Sequence, residues 1–249
     1  MTSDSHPQPA PPAKPDYGID APGVVRNLAL IGGIAVALSL AKVDLHLGPV
    51  ILTHQTWYGF AVGFTGAAIL MLLYAKVMKF RHRDLMLQRI AWRGDEHVLD
   101  VGTGRGLLLV GAAKRLTHGR AVGVDIWNPA DLSGNSRQRT EDNLRAEAVA
   151  SKCDLRDDPA QKMSFPDASF DVVLSNLCIH NISKEVERDQ ACAEIVRVLK
   201  PGGRALVSDY KNTRQYAEQF RKRGLSTEMV WSWGTFPPLR VVDATKPAT

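Results

Sequence analysis

Cysteine is scarce. Only Cys153, Cys178 and Cys192 occur in 249 residues, with no CxxC pair, so neither a disulfide framework nor a structural zinc site is expected. Neither sign of charge dominates. Lys plus Arg (31) against Asp plus Glu (26) leaves +5, with a pI near 9.2, too small and scattered an excess to point to nucleic acid. No internal repeat is visible. A secretory leader is not expected, because the first apolar run starts late and no positively charged start leads into it. What the chain has is 45% hydrophobic and 23% charged residues, which excludes disorder throughout. Their distribution is uneven: before Asp84 the chain reads as a membrane segment, and after it as a soluble α/β domain.

Met1 to Asp20 carries five prolines and no apolar period, so residues 1–22 are expected to form a disordered Pro-rich tail. Trp57 to Ala75 then holds 19 residues without a charge. At 1.5 Å per residue that is roughly 28 Å, close to the hydrocarbon thickness of a bilayer. Trp57, Tyr58 and Tyr74 at its ends suit the interface. The earlier run, Leu28 to Ala41, spans only if it recruits Val24 to Asn27 with Arg26 snorkelling; a re-entrant or interfacial helix competes. Residues 23–80 are therefore expected to be a two-helix membrane anchor. Lys76, Lys79, Arg81 and Arg83 follow the second run, whereas Lys42 is the only Lys or Arg between the runs. By the positive-inside rule both ends face the cytoplasm, and the basic cluster suits anionic headgroups.

From Leu85 onward strand and helix alternate, the signature of a mainly parallel sheet covered on both faces. Strands are expected at 97–101, 121–125, 152–156, 170–175 and 204–209, followed by a hairpin of 228–233 with 239–244. Helices are expected at 106–116, 137–150 (capped by Asn135 or Ser136), from Ser183 to Pro201-Gly202-Gly203, and at 213–223.

Chemistry concentrates at Asp100-Val101-Gly102-Thr103-Gly104-Arg105-Gly106, between a strand and a helix. Glycines allow a sharp turn and close approach of a ligand. The spacing is GxGxG rather than the GxGxxG of a dinucleotide site, and the acid before the first Gly would repel a phosphate but suit an amine or cation. Asp125 ends the next strand, 19 residues after Gly106, and emerges beside the turn, where an acid can hold ribose hydroxyls.

The run VLDVGTGRG, then GVDIW, SFPDASFDVVLSN and EIVRVLKPGGRALVSDY, in that order, closely resembles the class I S-adenosylmethionine-dependent methyltransferases, including the type in ubiquinone and menaquinone biosynthesis. The resemblance covers roughly Leu85 to the C-terminus and implies a Rossmann-like α/β domain over 85–249, its seven-stranded sheet mostly parallel with the last strand antiparallel. It implies S-adenosylmethionine as cofactor: Gly102, Thr103, Gly104 and Gly106 around the methionine part, Asp100 near its amino group, Asp125 on the ribose, Ile126 against the adenine. Asp158 would accept from the adenine amine, with Asp157 as rival, and Asn176 would line the floor. His180 is either a base over the methyl group or a packed rim histidine. Asp209 and Tyr210 end the fifth strand, facing the crevice or solvated there. Cys178 reads as a small buried hydrophobe. Trp231 and Trp233, on one face of a strand, either shape an acceptor pocket or pack on the sheet.

The expectation is thus a membrane-anchored methyltransferase, its catalytic domain cytoplasmic. Its partners would be the bilayer and a small, apolar acceptor: a quinone precursor, lipid amine or hydrophobic thiol. No metal and no nucleic acid are expected. A non-catalytic cofactor-binding partner subunit is the alternative.

Overall fold

The computed structural model describes residues 14–248. The apolar runs form two helices, α1 (Pro22–Leu40) and α2 (His54–Leu73), joined by an antiparallel ribbon of β1 (Leu45–Leu47) and β2 (Val50–Leu52). Pro22 opens α1, where its missing N–H costs nothing. The Thr53 hydroxyl caps α2 by accepting from the Thr56 amide. Small residues let the two helices approach: Ala35, Ala61 and Ala68 are buried, and a Cβ on Gly32 would collide with Thr65. Leu30, Ile34, Leu40, Val62 and Ile69 face outward, exposed. Both helices are long and apolar enough to cross a membrane.

The second helix does not end at Ala75. A π-helical turn, Tyr74–Met78, leads into α3 (Lys79–Gln88), making one unbroken helix from His54 to Gln88. The stretch between the end of the apolar run at Ala75 and Leu85 is therefore helix, not linker. Met86 and Leu87 on α3 are fully buried in the domain core, and that burial holds the helix on the sheet.

Seven strands follow: β3 (His97–Val101), β4 (Arg120–Val124), β5 (Cys153–Arg156), β6 (Phe170–Asn176), β7 (Leu199–Asp209), β8 (Ser226–Ser232) and β9 (Leu239–Thr245). Their order is β5-β4-β3-β6-β7-β9-β8, parallel from β5 to β7, with β9 antiparallel to both its neighbours. This is the Rossmann-like methyltransferase arrangement. Helices α4 (Leu107–Ala113), α5 (Arg137–Ala146), α6 (Glu185–Val198) and α7 (Thr213–Lys222) complete it. One core packs Ile195, Tyr216 and Phe220 against the sheet residues Leu99, Val173 and Val207. The other packs Met86, Leu87 and Leu109 against Leu174 and Leu206.

Local details depart from the sequence reading. Ser183 does not cap α6; Lys184 occupies that position without a side-chain hydrogen bond. Pro201-Gly202-Gly203 lies within β7 rather than ending α6, and a register shift opposite Phe170 and Val172 accommodates it. Of the two candidate caps, Ser136 is the one that receives the Arg139 amide.

Part of the segment expected to be a disordered tail is ordered. Residues 1–13 lie outside the described residues, but 14–20 run as a strap across the domain. Tyr17 is buried, donates its hydroxyl to Glu147 at 2.8 Å and meets Phe80 edge-on. The buried Lys79 ammonium donates to the carbonyls of Tyr17 (2.7 Å) and Gly18 (2.8 Å) and to Asp20 (3.3 Å). Composition hid this because the anchoring partners, Lys79, Arg105, Ser133 and Asn143, lie far along the chain.

Candidate functional site

At the carboxyl end of β3 the chain turns through Gly102 and Gly104, both at positive φ (72° and 53°), a region costly for residues with a Cβ. Gly102 is constrained twice over, since a Cβ there would collide with the Cys178 thiol. The close approach at this glycine is thus to another part of the chain. The amides of Gly102 and Thr103 donate to the Val124 carbonyl at 2.8 and 3.0 Å, which ties the turn to β4. Gly106, also at positive φ, occupies the N-cap position of α4; it starts the helix and does not line the cavity.

Asp100 is buried beneath the turn, accepting from Thr103 Oγ1 at 2.8 Å and the Leu109 amide at 3.0 Å. Burial pushes its carboxyl up to about 7, against those two hydrogen bonds, which lower it. Asp125 follows β4 and accepts from the Gly104 amide at 2.7 Å and the Trp127 amide at 2.6 Å. Asn176, at the end of β6, and Cys178 flank Leu177, whose φ of 53° is unusual for a residue with a bulky side chain. Burial raises the Cys178 thiol well above its ordinary range, so it stays protonated.

These residues surround a cavity of about 490 Å³, of the size that takes a small-molecule ligand. Asp100, Gly102, Thr103, Gly104, Asp125, Ile126, Asp158 and Asn176 all line it. The two rival acids separate. Asp158 lines the cavity and accepts from the amide and hydroxyl of Ser164. Asp157 is turned to Trp127 Nε1 (2.7 Å) and Arg137 (3.0 Å), whose bonds hold its carboxyl below the usual range. His180, Asp209 and Tyr210 come together but do not line the cavity. His180 Nδ1 lies 2.8 Å from Asp209 Oδ1 without forming a well-directed hydrogen bond, the His180 amide donates to Asp209, and the imidazole meets the Tyr210 ring edge-on at 4.7 Å.

Other cavity residues had no sequence signal. Tyr17 and Asp20 come from the strap, and Tyr74 and His82 from the helix that continues α2. His82 bonds Ser232 Oγ at 2.8 Å through Nδ1, and Ser208 Oγ (2.7 Å) and Asn176 Oδ1 (3.1 Å) through Nε2. Burial lowers its pKa to about 4, so the ring is neutral. Lys79 and His82, with Met86, recur at helical spacing on a buried face, but two basic side chains make that face read as solvated.

The donor set suits a cationic nucleoside. Carboxylates Asp100, Asp125 and Asp131 line one region of the cavity, and two buried polar atoms in its lining, Asn135 Oδ1 and Tyr74 Oη, have no hydrogen-bond partner. Buried acceptors and donors of this kind call for partners from a ligand or water.

The strand order and its one antiparallel reversal are those of the Rossmann-like methyltransferase fold. Residues 99–207 match the family model described as a methyltransferase domain. The chain is 32% identical over 135 residues to the ubiquinone/menaquinone biosynthesis C-methyltransferase UbiE of Geobacter sulfurreducens, covering 54% of this chain and 49% of that protein. It is 30% identical to the UbiE of Dinoroseobacter shibae, covering 63% and 57%. The chain thus spans about half the length of the curated relatives it matches. Among solved structures, a SAM-dependent methyltransferase from Aquifex aeolicus superposes with TM-score 0.55 at 15% identity, covering 72% of this chain and 97% of that one. An O-methyltransferase family protein from Burkholderia thailandensis gives 0.59 at 14%, covering 90% and 70%. Family and fold together imply S-adenosylmethionine as the cofactor.

Proposed function

We propose that the chain is a membrane-anchored methyltransferase that uses S-adenosylmethionine to methylate a small, apolar acceptor held near the bilayer. The observation that carries this reading is a single one. The acid-lined cavity at the strand ends is walled on one side by Tyr74, which directly continues a helix whose apolar side chains are exposed. Rows of exposed Leu, Ile and Val on two paired helices suit lipid and are costly in water. The basic residues after α2 favour a cytoplasmic catalytic domain.

The cofactor would supply a methyl group on a positively charged sulfur. In this reading Asp100 faces its amino group, Asp125 accepts from the ribose hydroxyls, Ile126 covers the adenine and Asp158 accepts from its amine. The Gly102–Gly104 turn leaves room for the methionine part. Asn176 forms the floor, oriented by His82. What remains for catalysis is to align the acceptor and exclude water; a base is needed only if the acceptor loses a proton. His180, Asp209 and Tyr210 are proposed to hold the 178–182 segment at the rim, a role that fits their position outside the lining. The names of the UbiE relatives favour a quinone precursor as the acceptor class, ahead of lipid amines and hydrophobic thiols.

The test is incubation of the full chain in vesicles with methyl-labelled S-adenosylmethionine and fractionated extract. Label in the apolar membrane fraction is the expected result. Label confined to water-soluble acceptors would overturn the apolar-acceptor reading, and binding of the cofactor without turnover on any fraction would overturn the enzymatic one.

A further inference from the structure

Trp231 and Trp233 do not pack on the sheet. They stack on each other at 5.4 Å and stay 46% and 81% exposed, an unusual cost for two indoles in water. Their place in the fold is set by α3. At one end of that helix His82 bonds Ser232, between the two tryptophans. At the other, Arg89 pairs with Asp243 and Glu228, farther down the same hairpin. α3 therefore runs alongside β8 and β9 with its beginning level with the hairpin tip. The tip, Trp233 to Pro238, points the same way as the helix that leads back to Tyr74.

The distance is short. Tyr74, at the end of the apolar stretch, is eight residues from His82, about 12 Å along a helix. Trp233 and the tip beyond it reach into that interval, and a headgroup layer of about 5–8 Å fits within it. The electrostatics agree. Residues 229–242 contain no Asp or Glu, and neither do 69–83 or 210–217. Arg240 lies over Trp231 at 5.0 Å and Lys211 over Tyr210 at 5.3 Å, and Lys76 is exposed on the helix.

We infer that the β8–β9 tip is a second membrane contact: the Trp231–Trp233 stack inserts at the headgroup level of an anionic bilayer, with Arg240 and Lys211 meeting the lipid phosphates. Indole rings favour that boundary, apolar in body with a polar N–H, and each cation near an anionic surface strengthens binding about fivefold. The contact fixes the tilt of the domain at a point away from the two-helix anchor, and so holds the strand ends and their cavity toward the bilayer. This inference rests on the anchored reading proposed above.

The test places nitroxide labels on the full chain in vesicles of mixed phosphatidylglycerol and phosphatidylcholine, at Trp233→Cys, at Ile69→Cys on α2 and at Lys222→Cys at the far end of α7, in a Cys153→Ser and Cys178→Ser background that leaves only the buried Cys192. Accessibility to an aqueous nickel chelate and to oxygen is then read by power saturation. Trp233 is so exposed that its replacement leaves the core untouched, and near-UV circular dichroism verifies that. The expected result is a label at 233 shielded from nickel at least about threefold relative to 222, with 69 shielded most, as for an interfacial position. If 69 is shielded but 233 is as accessible as 222, the second contact is refuted while the anchor stands. If 69 is as aqueous as 222, the anchor itself fails and the inference falls with it.

Discussion

Asp100 offers a prediction with two mirror-image readouts. Its carboxyl is buried, and desolvation raises it from 3.8 to about 7. Because the folded-state value is raised, the folded protein holds a proton that the unfolded chain releases near pH 4, and the stability gained is lost as pH rises through 7. Between pH 6 and pH 8 the carboxyl goes from mostly protonated to mostly ionised, so this group lowers ligand-free stability by about 1 kcal/mol. For a domain of this size that is about 2–4 °C in Tm. An ammonium-bearing ligand needs the ionised form, so the affinity for S-adenosylmethionine or its demethylated product should rise about tenfold over the same range. His82, at about 4, stays neutral throughout and does not contribute. Titration calorimetry gives the affinity and differential scanning fluorimetry the Tm; Asp100→Asn should flatten both relative to wild type. A tenfold affinity rise that persists in Asp100→Asn, or no rise in wild type, refutes the assignment of Asp100 to the cofactor's amino group.

Three other substitutions probe separate parts of the site. Asp125→Ala removes the acceptor of two backbone amides and of the proposed ribose hydroxyls; two charge-assisted hydrogen bonds make the expected loss about 3 kcal/mol, over a hundredfold in cofactor affinity, with far-UV circular dichroism retained. Unchanged affinity would exclude it from the ribose site. Lys79→Met leaves the Tyr17 and Gly18 carbonyls and Asp20 without their donor, so cleavage within 14–21 by a protease should accelerate about a hundredfold while the core holds; equal cleavage rates would mean that Tyr17, Arg105 and Asn143 hold the strap without Lys79. His180→Ala distinguishes positioning from proton transfer: a turnover loss under about tenfold with a lowered Tm fits the rim cluster, whereas a loss of about 10² to 10⁴ at unchanged Tm marks a base.

The strands, the Gly turn with its flanking acids and the two apolar helices were legible in the chain alone. Each of these is written in near-neighbour terms: a strand's short apolar run, a glycine where φ turns positive, a helix length set by 1.5 Å per residue. Which polar residues leave solvent was not legible there, because it depends on how the elements dock. His82 and Lys79 sit in the basic run KFRHRD, and nothing local says that one meets Ser208 and Ser232 while the other closes a strap from Tyr17. Asp157 and Asp158 are adjacent and chemically identical, and their division of labour depends on Trp127 and Arg137 arriving from other elements. The alternation of Trp231 and Trp233 placed them on one face of a strand, but whether that face is covered depends on what packs there. Burial is a property of how elements dock, and the energy that sets it, several kcal/mol per desolvated charge, is gathered from residues far apart in the chain.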